Sequence, residues 1–295
     1  MNAPGPSISF QPVLWAAVSA VLWGLWWIPV RYMETLGLHG AWSGLVLNMG
    51  AAVVLGAGVL LGLVPLRLRG RAIVGACFVG CAFTTYSIAL AYSEVVRVVL
   101  LFYLAPIWSK IIEWAFLRMG WRWTTTLGLV TALTGAYLVV GGDIGAVTLN
   151  FGDVLAILSG MSWATGAALV FAGGAVRASS LSFVCMIAAV CIALPFAVLS
   201  GWPTASVANV APVSLGLGAV YTVPIIVMTL WAAQRLAPTT LTFLLTAEIL
   251  SGVISSAIFL DEPFGWMQVA GTALIIFAAL SEVLSSMGKS VSESR

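Results

Sequence analysis

The sequence predicts an all-α integral membrane protein of about ten transmembrane helices, arranged as two five-helix repeats of opposite orientation. Three observations carry this expectation. The 295 residues are 61% hydrophobic and 7% charged, with a mean hydropathy of +1.10, which leaves too little polar surface to clothe a soluble globule. Apolar runs of roughly 20 residues, the length that crosses a hydrocarbon core of about 30 Å, succeed one another along the chain. Basic residues gather at alternate corners between these runs, as cytoplasmic loops do.

Backbone groups in hydrocarbon find no water, so each run is expected to be helical. The first, Pro12–Tyr32, is Trp-rich, too long for the apolar segment of a signal peptide and not preceded by basic residues; it reads as a retained helix. Trp42–Val64 ends at the basic stretch Arg67-Leu68-Arg69-Gly70-Arg71. Ala72–Tyr92 and Val95–Leu117 follow, the latter closed by Arg118-Met119-Gly120-Trp121-Arg122. Thr125–Gly141 completes the first repeat, residues 1–145. The second repeat, residues 146–295, begins with Asp153–Ala172, Leu181–Leu199 and Val213–Gln234. Thr239–Leu260 then runs into Asp261-Glu262-Pro263-Phe264-Gly265, and Trp266–Met287 is the last run. No remaining segment is long enough for a soluble domain.

With the N-terminus cytoplasmic, one face of the membrane receives Arg67, Arg69, Arg71, Arg118, Arg122, Arg177, Arg235, Lys289 and Arg295, and the other only Arg31 and Arg97. That asymmetry predicts a multi-pass protein of the plasma (inner) membrane with both termini cytoplasmic. A weak internal repeat accompanies it. Ser19-Ala20-Val21-Leu22-Trp23-Gly24 resembles Ser159-Gly160-Met161-Ser162-Trp163-Ala164, and Leu104-Ala105-Pro106 aligns with Thr246-Ala247-Glu248. The basic corner Arg118–Arg122 corresponds to the acidic corner Asp261-Glu262-Pro263. One faces the cytoplasm and the other the outside, as inverted repeats require.

These residues give the chain a resemblance to the drug/metabolite transporter superfamily, in its ten-helix EamA-like branch. Trp23-Gly24 and Leu104-Ala105-Pro106 carry it in the first half; in the second half they are Arg235-Leu236-Ala237-Pro238 through Glu248, Leu260-Asp261-Glu262-Pro263, and Gly271-Thr272-Ala273-Leu274-Ile275. The Trp- and Tyr-rich first half is similar to the YddG-type exporters of aromatic amino acids and methionine. The resemblance implies two five-helix bundles around a central cavity, alternating access, and outward movement of a small amphiphile. The superfamily also carries nucleotide sugars, triose phosphates, purines and cationic drugs, so membership alone does not choose the solute.

Transporters built from inverted repeats bind near the midplane, where the halves meet. At a rise of about 1.5 Å per residue, Trp23, Tyr103, Pro106, Trp163, Tyr221 and Glu248 fall within about two turns of that level. A carboxylate at mid-depth is costly, so Glu248 is expected to face protein or water, either binding a solute or proton or hydrogen-bonded to a neighbouring helix. Trp23 and Trp163 hold equivalent slots and suit the two faces of a flat solute. Tyr86, Tyr103 and Tyr221 each carry a phenol that wants a partner, which a polar cavity would supply. Lys110 and Glu113 lie three apart on one helical face; they pair with each other or meet the solute. Pro29, Pro106, Pro195 and Pro224 interrupt apolar runs, and kinks at Pro29, Pro106 and Pro224 would serve as hinges. The glycines, Gly58-x-x-x-Gly62 among them, are expected to let helices pack closely.

Several chemistries have no material. Cys77, Cys81, Cys185 and Cys191 all sit inside apolar runs as packing residues, and His39 is the single histidine, so neither a metal site nor a disulfide is expected. No Gly-rich phosphate loop is present, and nothing calls for a cofactor or a nucleic acid. A membrane-embedded enzyme would need a nucleophile with its base, or clustered ligands, which scattered carboxylates do not provide. The expected partners are the lipid bilayer and one small amino-acid-like solute; no feature sets an oligomeric state.

Overall fold

The computed structural model describes residues 10–66, 70–93, 95–139, 149–260 and 265–292. These residues are helical or connecting, with no strand among them. The helices are α1 (Phe10–Gly24), α2 (Trp27–Thr35), α3 (Ala41–Leu60), α4 (Gly70–Tyr92), α5 (Val95–Phe102), α6 (Ala105–Ala115) and α7 (Trp123–Val139). In the second half they are α8 (Phe151–Ala172), α9 (Ala178–Leu199), α10 (Val207–Leu217), α11 (Val223–Ala233), α12 (Pro238–Leu245), α13 (Glu248–Leu260) and α14 (Trp266–Ser292). Eight stretches among the described residues are long and apolar enough to cross a membrane. The 17-residue α7 and the α12–α13 pair occupy the remaining two predicted runs.

Three predicted runs are therefore broken and a fourth passes through a π turn, and each departure has a local cause. The first span breaks at Leu25-Trp26, where Pro29 has no N–H to offer the Leu25 carbonyl four residues earlier. The fourth breaks at Tyr103-Leu104, where Pro106 likewise leaves the Phe102 carbonyl without its helical donor. The ninth breaks at Thr246-Ala247 without a proline: Thr242 donates to the Pro238 carbonyl at 2.7 Å and Thr246 to the Phe243 carbonyl at 2.6 Å, so side chains compete for the backbone acceptors. The breaks of the fourth and ninth spans fall within one residue of each other in the internal repeat. In the eighth span a π-helical turn at Gly218–Thr222 precedes Pro224, and the Val223 N–H reaches back to the Gly218 carbonyl. Pro195, expected to interrupt its run, lies inside the continuous α9.

Close helix approach rests on glycine, though not on the pair singled out in the sequence. Gly75 of α4 and Gly166 of α8 sit so close that a methyl added to either would lie 2.8 Å from the other's carbonyl oxygen. Gly135 of α7 and Gly271 of α14 meet in the same way. Gly58 and Gly62 do not pack helices: Gly58 closes on Val64 of its own chain, and Gly62, at φ +73°, turns the chain after α3 ends.

Two sets of contacts define the ends of the bundle. At one end Ser180 bonds the Pro65 carbonyl, Val176 N–H bonds Gln234 (2.9 Å), and Arg122 reaches both the Ser285 carbonyl (2.9 Å) and Glu282 (3.3 Å). Thr125 donates to the second Glu282 oxygen at 3.1 Å, which ties α7 to α14. At the other end Trp42 donates to the Gly201 carbonyl at 2.7 Å, and Asn150 and Asp153 form a capping box on α8 that Ser93 joins at 2.6 Å. Arg118, Arg122, Arg177 and Arg235 all belong to the first end. The repeat boundary at 145/146, the Asp261-Glu262-Pro263 corner, Arg67, Arg69 and Arg295 lie outside the described residues, as do the side chains of Arg97 and Lys289.

Candidate solute site

Where the broken spans approach the unbroken ones, a cavity of about 30 Å³ opens at the centre of the bundle. Ten residues line it: Trp23, Phe83, Phe102, Tyr103, Ala105, Trp163, Thr242, Leu245, Thr246 and Glu248. Phe102 ends α5 and Tyr103 follows it, Ala105 begins α6, Thr246 follows α12 and Glu248 begins α13, so the two breaks supply half of the lining. Gly24 and Gly160 allow this geometry. Gly24 lies directly against the Glu248 carbonyl, and a methyl on Gly160 would stand 2.9 Å from the Phe102 carbonyl.

One side of the cavity is an aromatic row. The Trp23 and Phe83 ring centroids lie 4.4 Å apart and those of Phe83 and Trp163 5.9 Å apart, all mutually tilted. Hydrogen bonds fix both indoles: Trp23 Nε1 donates to Thr229 Oγ1 and Trp163 Nε1 to Thr242 Oγ1, each at 3.0 Å. The lining also holds one carboxyl, Glu248, which accepts from the Tyr103 hydroxyl at 2.8 Å.

Four of the residues singled out by depth, Trp23, Tyr103, Trp163 and Glu248, thus line one cavity. Three others stand elsewhere. Tyr86 packs edge-on against Phe102, with ring centroids 4.9 Å apart, behind the lining. Tyr221 donates to the Leu22 carbonyl and stacks on Trp26. Lys110 sits at the basic end, where its ammonium bonds Glu113 at 3.2 Å and the Gly120 carbonyl at 3.0 Å; the other Glu113 oxygen accepts the Thr239 N–H, at 2.7 Å, at the start of α12. Pro106 and Pro224 lie just after the fourth-span break and the π turn, and Pro29 lies four residues past Leu25. Phe83, Phe102, Thr242 and Thr246 were not singled out. The phenylalanines look like any lipid-facing apolar residue, whereas the run Thr239, Thr240, Thr242, Thr246 is a visible signal, since hydroxyls that dense in an apolar span need partners.

A volume of about 30 Å³ has room for water but not for a solute of amino-acid size. A multi-pass helical bundle with discontinuous spans meeting at a central, aromatic, singly acidic cavity is the build of a membrane transporter. The chain belongs to the EamA-like transporter family, whose sequence model matches residues 11–141 and 150–281. Among solved structures, one protein crystal structure superposes with a TM-score of 0.71 at 18% identity, covering 93% of this chain and 97% of its own, so the fold is shared. No curated protein matches the sequence.

Proposed function

We propose that this transporter exports small amphiphilic metabolites, aromatic amino acids and methionine foremost, across the plasma (inner) membrane by alternating access. The observation that carries the reading is that the Trp23–Phe83–Trp163 row and the Tyr103–Glu248 pair line one central cavity. Flat or soft side chains suit the row, at about 0.5–1.5 kcal/mol per ring contact, which biases selection without trapping the solute. A phosphorylated solute would need Arg or Lys forks, and among the described residues no basic one lines the cavity. Outward direction follows the similarity to YddG-type exporters.

Purified protein in liposomes should carry phenylalanine, tryptophan and methionine, and fail with a triose phosphate or nucleotide sugar. Trp163→Ala should cut aromatic flux about three- to tenfold and aliphatic flux less. Robust phosphate-ester flux with none for these amino acids would end the proposal. We also propose that both termini are cytoplasmic. In intact cells an impermeant thiol reagent should then label a cysteine at Glu262 and spare one at Arg69; the opposite pattern would reverse the orientation.

A further inference from the structure

Both tryptophans of the central cavity are held by threonines, and those threonines are held in turn. Trp23 Nε1 donates to Thr229 Oγ1 and Trp163 Nε1 to Thr242 Oγ1, each at 3.0 Å. Thr229 donates its own hydroxyl to the Ile225 carbonyl at 2.9 Å and Thr242 to the Pro238 carbonyl at 2.7 Å, four residues back on the same helix in each case. A threonine bonded this way keeps one side-chain rotamer, so its oxygen offers a lone pair in a fixed direction. Thr242 is tied a second time. With its proton on Pro238, it accepts from Ser109 of α6 at 3.0 Å as well as from Trp163.

An indole beside an open space can swing about its side-chain torsions, and a bond at Nε1 pins it at a second point beyond Cβ. Trp23 and Trp163 hold equivalent slots of the internal repeat, but their anchors do not: Thr229 lies on α11, in the eighth span, and Thr242 on α12, in the ninth. The anchoring is thus not a by-product of the repeat. Thr229 is fully buried and stands outside the lining, so its hydroxyl can affect a solute only through the ring it holds.

Such a bond need not concern a solute. Trp27 Nε1 reaches Ser255 Oγ at 3.0 Å and Ser255 bonds the Gly252 carbonyl at 2.9 Å, yet neither residue lines the cavity. Trp23 and Trp163 differ in where the held ring stands. They flank Phe83, with centroids 4.4 and 5.9 Å away, and an indole turned about its torsions would leave that row.

We infer that Thr229 and Thr242 are positioning residues for solute selection: each fixes the angle of one cavity indole and, through it, sets the preference for an aromatic side chain over methionine. A ring stacks well only over a narrow range of angles, whereas the flexible thioether adapts to either. The inference rests on this cavity being the solute site, as proposed above.

Liposome flux of phenylalanine and of methionine, each as KM and maximal rate, tests it. Thr229→Val and Thr242→Val keep the side-chain shape and remove the acceptor. Each should raise KM for phenylalanine about two- to tenfold, with KM for methionine and both maximal rates moving less. Thr229→Ser and Thr242→Ser return the oxygen and should return the parent ratio of the two KM values. Ser255→Ala breaks the same kind of bond outside the cavity and should leave that ratio unchanged. In a Trp163→Phe background, which keeps a ring without the N–H, Thr242→Val should have no further effect on the ratio. No indole donor is orphaned there, so this pair decides the matter even where the single valine variant fails to insert. An unmoved ratio in the valine variants, a ratio shifted equally by serine or by Ser255→Ala, or an undiminished Thr242→Val effect without the indole would each overturn the inference. With phenylalanine and methionine flux in the parent, any of those results removes this inference alone. No flux of either in the parent ends the export reading and this one with it.

Discussion

Replacing Gly24 by alanine is expected to reduce solute flux by about tenfold or more while leaving much of the protein able to insert. A methyl there would fall inside contact distance of the Ser251 hydroxyl and the Glu248 carbonyl, and 2.7 Å from the Gly252 amide nitrogen. Backbone atoms cannot swing aside as a flexible side chain can, so the start of α13 must move away from α1. Overpacking of this kind costs about 1–3 kcal/mol, and here the displaced segment carries Glu248. The defect should therefore appear as a lower unfolding temperature together with lost transport. Gly216→Ala is the comparison: nothing lies within 4 Å of the added methyl, and alanine favours the helix by up to about 1 kcal/mol. Equal flux in the two variants would mean that the close approach at Gly24 is not required.

The second large effect is expected at Lys110. Its side chain is 5% exposed and that of Glu113 3%, so the buried charges are compensated by their mutual bond, the Gly120 carbonyl and the Thr239 N–H. Lys110→Met leaves a buried carboxylate without its counter-ion and should lower stability by about 3–5 kcal/mol. The double change Lys110→Met with Glu113→Gln should recover most of the loss, because the glutamine oxygen can still accept from Thr239 at the start of α12. Thermal unfolding in detergent reads both. A single Lys110→Met variant as stable as the parent would show that the pair does not hold α6 to α12.

Much of the fold was legible because lipid imposes a one-dimensional rule: a span must be long, apolar and helical. The breaks were less so. Pro29 and Pro106 announce theirs through a missing N–H, but Thr246-Ala247 contains neither proline nor glycine and yields because hydroxyls bond back onto carbonyls. Its alignment with Leu104-Ala105 was the sequence's only hint. For the site, counting residues from a helix centre gives depth but not direction around the axis. Trp23, Tyr103, Trp163 and Glu248 share both depth and direction; Tyr221 has the depth, yet its hydroxyl turns to the Leu22 carbonyl. Trp231 also falls inside an apolar run, but the Arg235 guanidinium lies 3.8 Å over its ring, which places it toward the basic end. Phe83 completes the aromatic row through a ring that no pattern separates from lipid-facing neighbours.

The central claim is that solute passes through the cavity between the halves, and Thr246 offers the most direct access to it. It lines the cavity, is 2% exposed, and its hydroxyl serves only the Phe243 carbonyl. With Cys77, Cys81, Cys185 and Cys191 replaced by alanine, a Thr246→Cys protein in liposomes should react with a small permeant maleimide only as the halves part. Saturating phenylalanine or methionine should slow that reaction severalfold, because the solute fills the space the reagent needs. A labelling rate unchanged by a solute that the same vesicles demonstrably transport would place the pathway elsewhere and contradict the account.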